Sequence, residues 1–118
     1  MPTIVAVITD LLFQSRLREQ ARALGYEIAV AETLDAVRDA LAGSPALVVL
    51  DLHVSGLDWR AAVNAAKERA VPVLAFGRHT EAQLLRSARK AGCDRVVPRS
   101  QLVEELPELI AGLAAAGS

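Results

Sequence analysis

The chain has 118 residues, 53% of them hydrophobic and 23% charged, with a formal net charge of -1. That length suits one domain, and that composition buries a core rather than leaving a disordered coil. A chain so close to neutral offers no basic field for nucleic acid, and no apolar run nears the roughly 20 residues of a membrane span.

The opening segment MPTIVAVITDLLFQ has no basic stretch and no small-residue cleavage site, so no signal peptide is read there. Cys93 is the sole cysteine, which excludes an internal disulfide and suits a reducing compartment. The expectation is one cytoplasmic domain over residues 1–118.

In chain order, the first apolar run is Ile4–Ile8. Phe13, Leu17, Ala21 and Leu24 follow at helical spacing, and Gly25 stands where that helix should stop. Tyr26–Ala31 is the second run. Thr33 is placed to cap a helix with Leu34, Val37 and Leu41 on its apolar face, ending at Gly43. Ala46–Leu50 is the third run. Asp58 is placed to cap a helix carrying Trp59, Val63, Ala66 and Ala70. Val71–Phe76 is the fourth run. Thr80 with Gln83 has the spacing of a capping box for a helix with Leu84, Leu85, Ala88 and Ala91, which Gly92 should end. Arg95–Val97 is the last run. Ser100 is a candidate cap for a helix with Leu102, Leu106, Leu109, Ile110 and Leu113 inward. Pro107 should kink or restart that helix, because it cannot donate the i→i−4 bond. The small-residue tail AAAGS, residues 114–118, should fray.

The runs are mostly continuous rather than alternating, as in strands buried on both faces. Strand and helix alternate five times, which predicts a parallel sheet with right-handed crossovers. Five strands suit the flavodoxin-like three-layer α/β/α sandwich with strand order 2-1-3-4-5. The first and fifth helices should cover one face and the other three the opposite face.

Ligands of such sheets sit beyond the carboxyl ends of the strands. Thr9 and Asp10 fall there, with Asp51, Leu52 and His53, then Gly77, Arg78 and His79, then Pro98, Arg99 and Ser100. Asp51 is the most informative of these, because it ends the run ALVVL and should emerge from a buried strand at the rim. Cys93 falls at the opposite edge and reads as a small buried hydrophobe.

ALVVLDL, VPVLAFG and AGCDRVVPRS resemble the third, fourth and fifth strand regions of the receiver domain of two-component response regulators, and the likeness runs over nearly the whole chain. The resemblance implies that Asp51 is the phosphoacceptor. It puts Arg99 in the place of the family's lysine and Gly77 in the place of its threonine or serine, so these two would face the phosphoryl group. It implies a metal site of Asp10, Asp51 and a backbone carbonyl near His53, holding Mg²⁺ weakly.

The chain also departs from the family pattern. Counting back from Gly25 puts Ile8 and Thr9 where two adjacent acids usually stand, with Asp10 one step beyond. Gly77 removes a hydroxyl. Arg99 keeps the positive charge but presents a planar fork rather than a point charge. Val96 replaces an aromatic ring, and Ser55 replaces a proline. These changes describe a degenerate, or pseudo-receiver, version.

The expected function is a receiver-like signalling module of a two-component phosphorelay that acts through protein–protein interaction and is not an enzyme. Its partner would be a histidine kinase or a downstream target. A homodimer would form through the fourth helix, fifth strand and fifth helix, where Arg78, Arg86, Arg89 and Lys90 lie on or beside the fourth helix. One alternative is a fully working Mg²⁺-dependent phosphoacceptor. Another is a flavodoxin-like small-ligand or metal-binding protein. DLHVSG matches a cobalamin-binding pattern but follows the third apolar run rather than the first, and the spacing of His53 and His79 with Asp51 and Asp10 is not that of a zinc motif. No glycine-rich phosphate loop and no G-x-S-x-G elbow occurs.

Overall fold

The computed structural model describes residues 1–117. The elements are β1 (Thr3–Val7), α1 (Leu11–Ala23), β2 (Glu27–Val30), α2 (Leu34–Ala42), β3 (Leu47–Asp51), α3 (Trp59–Glu68), β4 (Val73–Gly77), α4 (Ala82–Lys90), β5 (Arg95–Pro98) and α5 (Arg99–Gly117). The strands form one parallel sheet in the order β2-β1-β3-β4-β5, as expected.

The two sheet faces divide the core by strand parity. Ile4, Ala6, Leu47, Val49, Leu74, Phe76 and Val97 point toward α1 and α5, where Leu17, Leu102, Leu106 and Ile110 cover them. Val5, Val7, Val48, Leu50, Val73, Ala75 and Val96 point the other way, onto α2, α3 and α4 through Val37, Leu41, Val63, Leu85 and Ala88. β1, β3 and β4 are apolar on both sides because each is covered twice, which is why their sequences do not alternate.

Local signals explain most boundaries. Thr33 and Asp58 cap α2 and α3, accepting the N–H groups of Ala36 and Arg60. Gly25 at φ +89° and Gly92 at φ +110° follow α1 and α4 in a backbone region that costs glycine no steric penalty.

Two expected caps are corrected. Thr80 does not open α4: a turn from Arg78 to Glu81 intervenes, so Glu81 takes the cap position and makes no side-chain cap bond. Ser100 does not cap α5, because β5 runs straight from Pro98 into a helix that begins at Arg99. Pro107 acts as anticipated. Glu105 has non-helical angles (φ -115°, ψ 19°), so α5 is two segments, the second restarting around the proline. The backbone of α5 is helical to Gly117, and Ser118, the end of the tail expected to fray, lies outside the described residues.

Candidate functional site

Asp51 is the last residue of β3 and pairs in register with Phe76 of β4. It is 6% exposed, one of two buried polar residues among those described, the other being Gln14. Its Oδ1 accepts the backbone N–H of His53 at 2.8 Å, and its carbonyl accepts the N–H of Val54 at 3.0 Å. The chain therefore turns tightly around Asp51 as soon as the strand ends, which fixes the carboxylate at the carboxyl rim. The sequence-based position for Asp51 holds.

Asp10 lies further out than a strand end. β1 stops at Val7, and Asp10 caps α1, with Oδ1 accepting the N–H of Phe13 at 3.2 Å. Its Oδ2 accepts from Arg99 Nη2 at 3.1 Å. The Phe13 N–H and then the Arg99 guanidinium hold the Asp10 carboxyl below the ordinary aspartate range. Both oxygens are thus engaged.

Arg99 is the other half of this latch. Besides Asp10, its guanidinium lies 4.6 Å above the centre of the Phe13 ring, and Phe13 in turn stacks on Phe76 with centroids 5.0 Å apart. Arg99, which the resemblance sets facing a phosphoryl group on Asp51, instead bonds Asp10. Charge-assisted bonding to Asp10 and a ring face for the guanidinium both lie on the α1 side of the rim.

His53 presents Nε2 3.5 Å from Glu81 Oε1, so its ring faces the loop before α4. His79 is exposed in that same loop. Asp10, Asp51 and His53 therefore face three different partners. Among the described residues no three His, Cys, Asp or Glu side chains gather as a metal-binding group. Ile8 is fully buried, and Thr9 Oγ1 lies 3.5 Å from Ser55 Oγ. Mg²⁺ leans on one or two carboxylates within near-octahedral oxygen ligation. Asp51 and the backbone carbonyl near His53 would hold such an ion, while Asp10 is committed to the α1 cap and to Arg99.

Gly77 ends β4 and pairs with Pro98. A Cβ placed on it would stand 3.2 Å from Leu85 Cδ2 and 3.5 Å from Leu52 Cδ1. The missing side chain has left no gap, because leucines from α4 and from the residue after Asp51 fill the space. Val96 is buried against the α2–α4 layer.

No family model and no curated protein matches the sequence. Solved structures do match. The receiver domain of the Francisella response regulator 1452 is 14% identical, with a TM-score of 0.84 over 100% of both chains. A response regulator from Chloroflexus aurantiacus is 18% identical, with a TM-score of 0.84 over 98% of this chain and 99% of that one. The receiver domain of NtrX from Brucella abortus is 22% identical, with a TM-score of 0.81 over 98% and 99%. This is the receiver fold.

In this receiver frame, three features were not legible from sequence. Gln14, on the inner face of α1, donates Nε2 to the Ile8 carbonyl at 2.6 Å and props the end of β1. Leu85 reaches the rim from a different element. Leu11 and Leu12, in the first turn of α1, are 76% and 80% exposed, leaving an apolar pair beside the Asp10–Arg99 latch. Their doublet falls outside the stripe of Phe13, Leu17 and Ala21, and that misfit was the available signal. Cys93 lies at the opposite edge of the sheet, as expected, but is half-buried rather than fully buried, and that burial and the neighbouring Asp94 charge push its thiol up to about 11.

Proposed function

We propose that the protein is a signalling module of a two-component pathway that keeps the receiver frame, places Asp51 at the phosphoacceptor position, and works by binding a protein partner rather than by taking up a phosphoryl group. It is not an enzyme on this reading. The observation that carries it is the Asp10–Arg99 ion pair. One contact engages both the acid nearest a metal position and the cation nearest a phosphoryl position.

Phosphoryl transfer depends on positioning and on charge stabilisation by metal and fixed donors. Among the described residues, the fixed donor within hydrogen-bonding distance of the Asp51 carboxylate is the His53 N–H. Gly77 supplies no hydroxyl, and the packing of Leu85 and Leu52 leaves no room for a side chain to swing. Val96 has no ring to move. A charge on Asp51 would have few differential contacts through which to bias a second state.

The partner is a histidine kinase or a downstream target, or a second copy of the chain. Arg86 and Arg89 on α4 and Arg95 on β5 are exposed, as are Glu104, Glu105 and Glu108 on α5. Opposite signs on adjacent elements make this face self-complementary under two-fold symmetry. Leu11 and Leu12 offer apolar contact to a protein seated on the rim.

Intact-mass analysis after acyl-phosphate treatment with Mg²⁺ tests the reading. The expected result is little or no phosphorylated species. Self-association and partner affinity of wild type, Asp51→Asn and Asp51→Ala should agree closely. Rapid stoichiometric labelling abolished by Asp51→Asn would overturn the proposal. So would a loss above about 1.4 kcal/mol, or tenfold, in both folded variants.

A further inference from the structure

α3 and α4 run side by side over the same face of the sheet, but a groove of about 370 Å³ separates them, lined by Arg60, Asn64, Ser87, Lys90 and Ala91. Its lining contains no carboxylate. Arg60 is held 4.4 Å above the Trp59 ring, so its guanidinium is positioned in advance without a counter-ion. Neither Arg60 nor Lys90 makes a salt bridge among the described residues, whereas Lys67 on α3 and Arg78 before α4 are paired with Asp94 and Glu81. Arg60 sits in the first turn of α3 and Lys90 at the end of α4, so the two cations stand toward opposite ends of the groove. Between them Asn64 and Ser87 supply neutral hydrogen-bonding groups, and Ala91 leaves space for a chain to pass.

We infer that the α3–α4 groove is a docking site for an acidic peptide segment of a partner protein, whose carboxylates meet Arg60 and Lys90 while Asn64 and Ser87 bond its backbone. Charge complementarity selects this occupant. A nucleic acid would need many phosphate contacts along a basic surface, and two cations on a chain of net charge -1 do not provide it. The site is separate from the rim around Asp51 and from the acidic face of α5, so it stands whether or not Asp51 is phosphorylated.

The test is fluorescence anisotropy with a fluorescein-labelled peptide of alternating glutamate and alanine, at low and at physiological salt. Wild type should bind, more weakly as salt screens the contact. Arg60→Glu with Lys90→Glu should lower affinity at least tenfold. The same charge change on α1, Arg18→Glu with Arg22→Glu, should leave it within about twofold. A glutamate in the last turn of α4 opposes the helix dipole. The neutral pair Arg60→Gln with Lys90→Gln is therefore measured too, and should show an intermediate loss with an unchanged circular-dichroism spectrum. The inference is overturned if wild type does not bind the peptide, if the α1 variant loses as much as the groove variant, or if a single-stranded oligonucleotide of equal charge binds more tightly than the peptide.

Discussion

Threonine at position 77 would restore the hydroxyl that receivers usually carry there, and the packing around Gly77 sets its cost. A Cβ on Gly77 would meet Leu85 Cδ2 at 3.2 Å and Leu52 Cδ1 at 3.5 Å. Carbon atoms pack best at about 3.5–4.0 Å, so Leu85 must retreat by a few tenths of an ångström for the Cβ alone. Threonine then adds a methyl and a hydroxyl to that carbon. Overfilling a packed site costs about 1–3 kcal/mol, and Gly77→Thr should fall in that range. Leu85 is buried, so Leu85→Ala alone should cost about 2–5 kcal/mol through lost burial and the cavity it leaves. In the double variant the threonine occupies part of that cavity. The pair should therefore cost about 1–2 kcal/mol less than the sum of the single changes, a coupling expected only of residues in contact. Urea unfolding reads this directly, because Trp59 is the sole tryptophan and is buried in the α2–α4 layer. The midpoints should shift at constant slope. Gly77→Thr within about 0.5 kcal/mol of wild type, or single changes that add within about 0.5 kcal/mol, would refute the claim that Leu85 fills the place of the missing side chain.

The Asp10 carboxyl is held below its usual value of 3.8 by the Phe13 N–H and then by Arg99. Its folded value is depressed, so its contribution to stability is present above the unfolded value and is lost as pH falls through the folded one. Arg99→Ala should raise the Asp10 midpoint toward 3.8 in a carboxyl NMR titration, and an unmoved midpoint would deny the latch. Cys93, with its thiol raised to about 11, should react with a maleimide near neutral pH far more slowly than in the urea-unfolded chain, on the order of a hundredfold from the lower thiolate fraction alone. Equal rates would mean that the thiol is not buried as described. Asp94→Ala removes the acceptor of both Lys67 Nζ and the Val73 N–H, each at 2.7 Å. Leaving that part-buried N–H unpaired should cost about 1–3 kcal/mol in urea unfolding, while Lys67→Ala alone should cost about 1 kcal/mol or less.

The sheet order was legible because β1, β3 and β4 are continuous apolar runs, which only a doubly covered sheet explains. Asp51 was legible for the same reason, since a lone acid ending such a run has one place to go. The Asp10–Arg99 latch was not. Its members are 89 residues apart, and both stand near Asp51 in any receiver-like reading, so sequence alone could not choose which carboxylate takes the guanidinium. Sequence showed what Gly77 lacks but not what fills the space, because Leu85 arrives from another helix. The capping errors have a local cause. Thr80 and Gln83 have the right spacing, but the turn from Arg78 to Glu81 had already set where α4 begins.

Asp94 ties the end of α3 to the starts of β4 and β5 through one carboxylate, so the amino-terminal edge of the sheet is stitched across three elements. At the carboxyl edge the loops meet through exposed contacts, Thr9 with Ser55 and His53 with Glu81. Such contacts contribute little to stability. Architecture and chemistry thus reside at opposite ends of the same strands. The loop residues at that edge, Thr9, Ser55 and His53, can therefore change with small effect on folding, whereas Gly77, Leu52 and Leu85 beneath them belong to the packed frame.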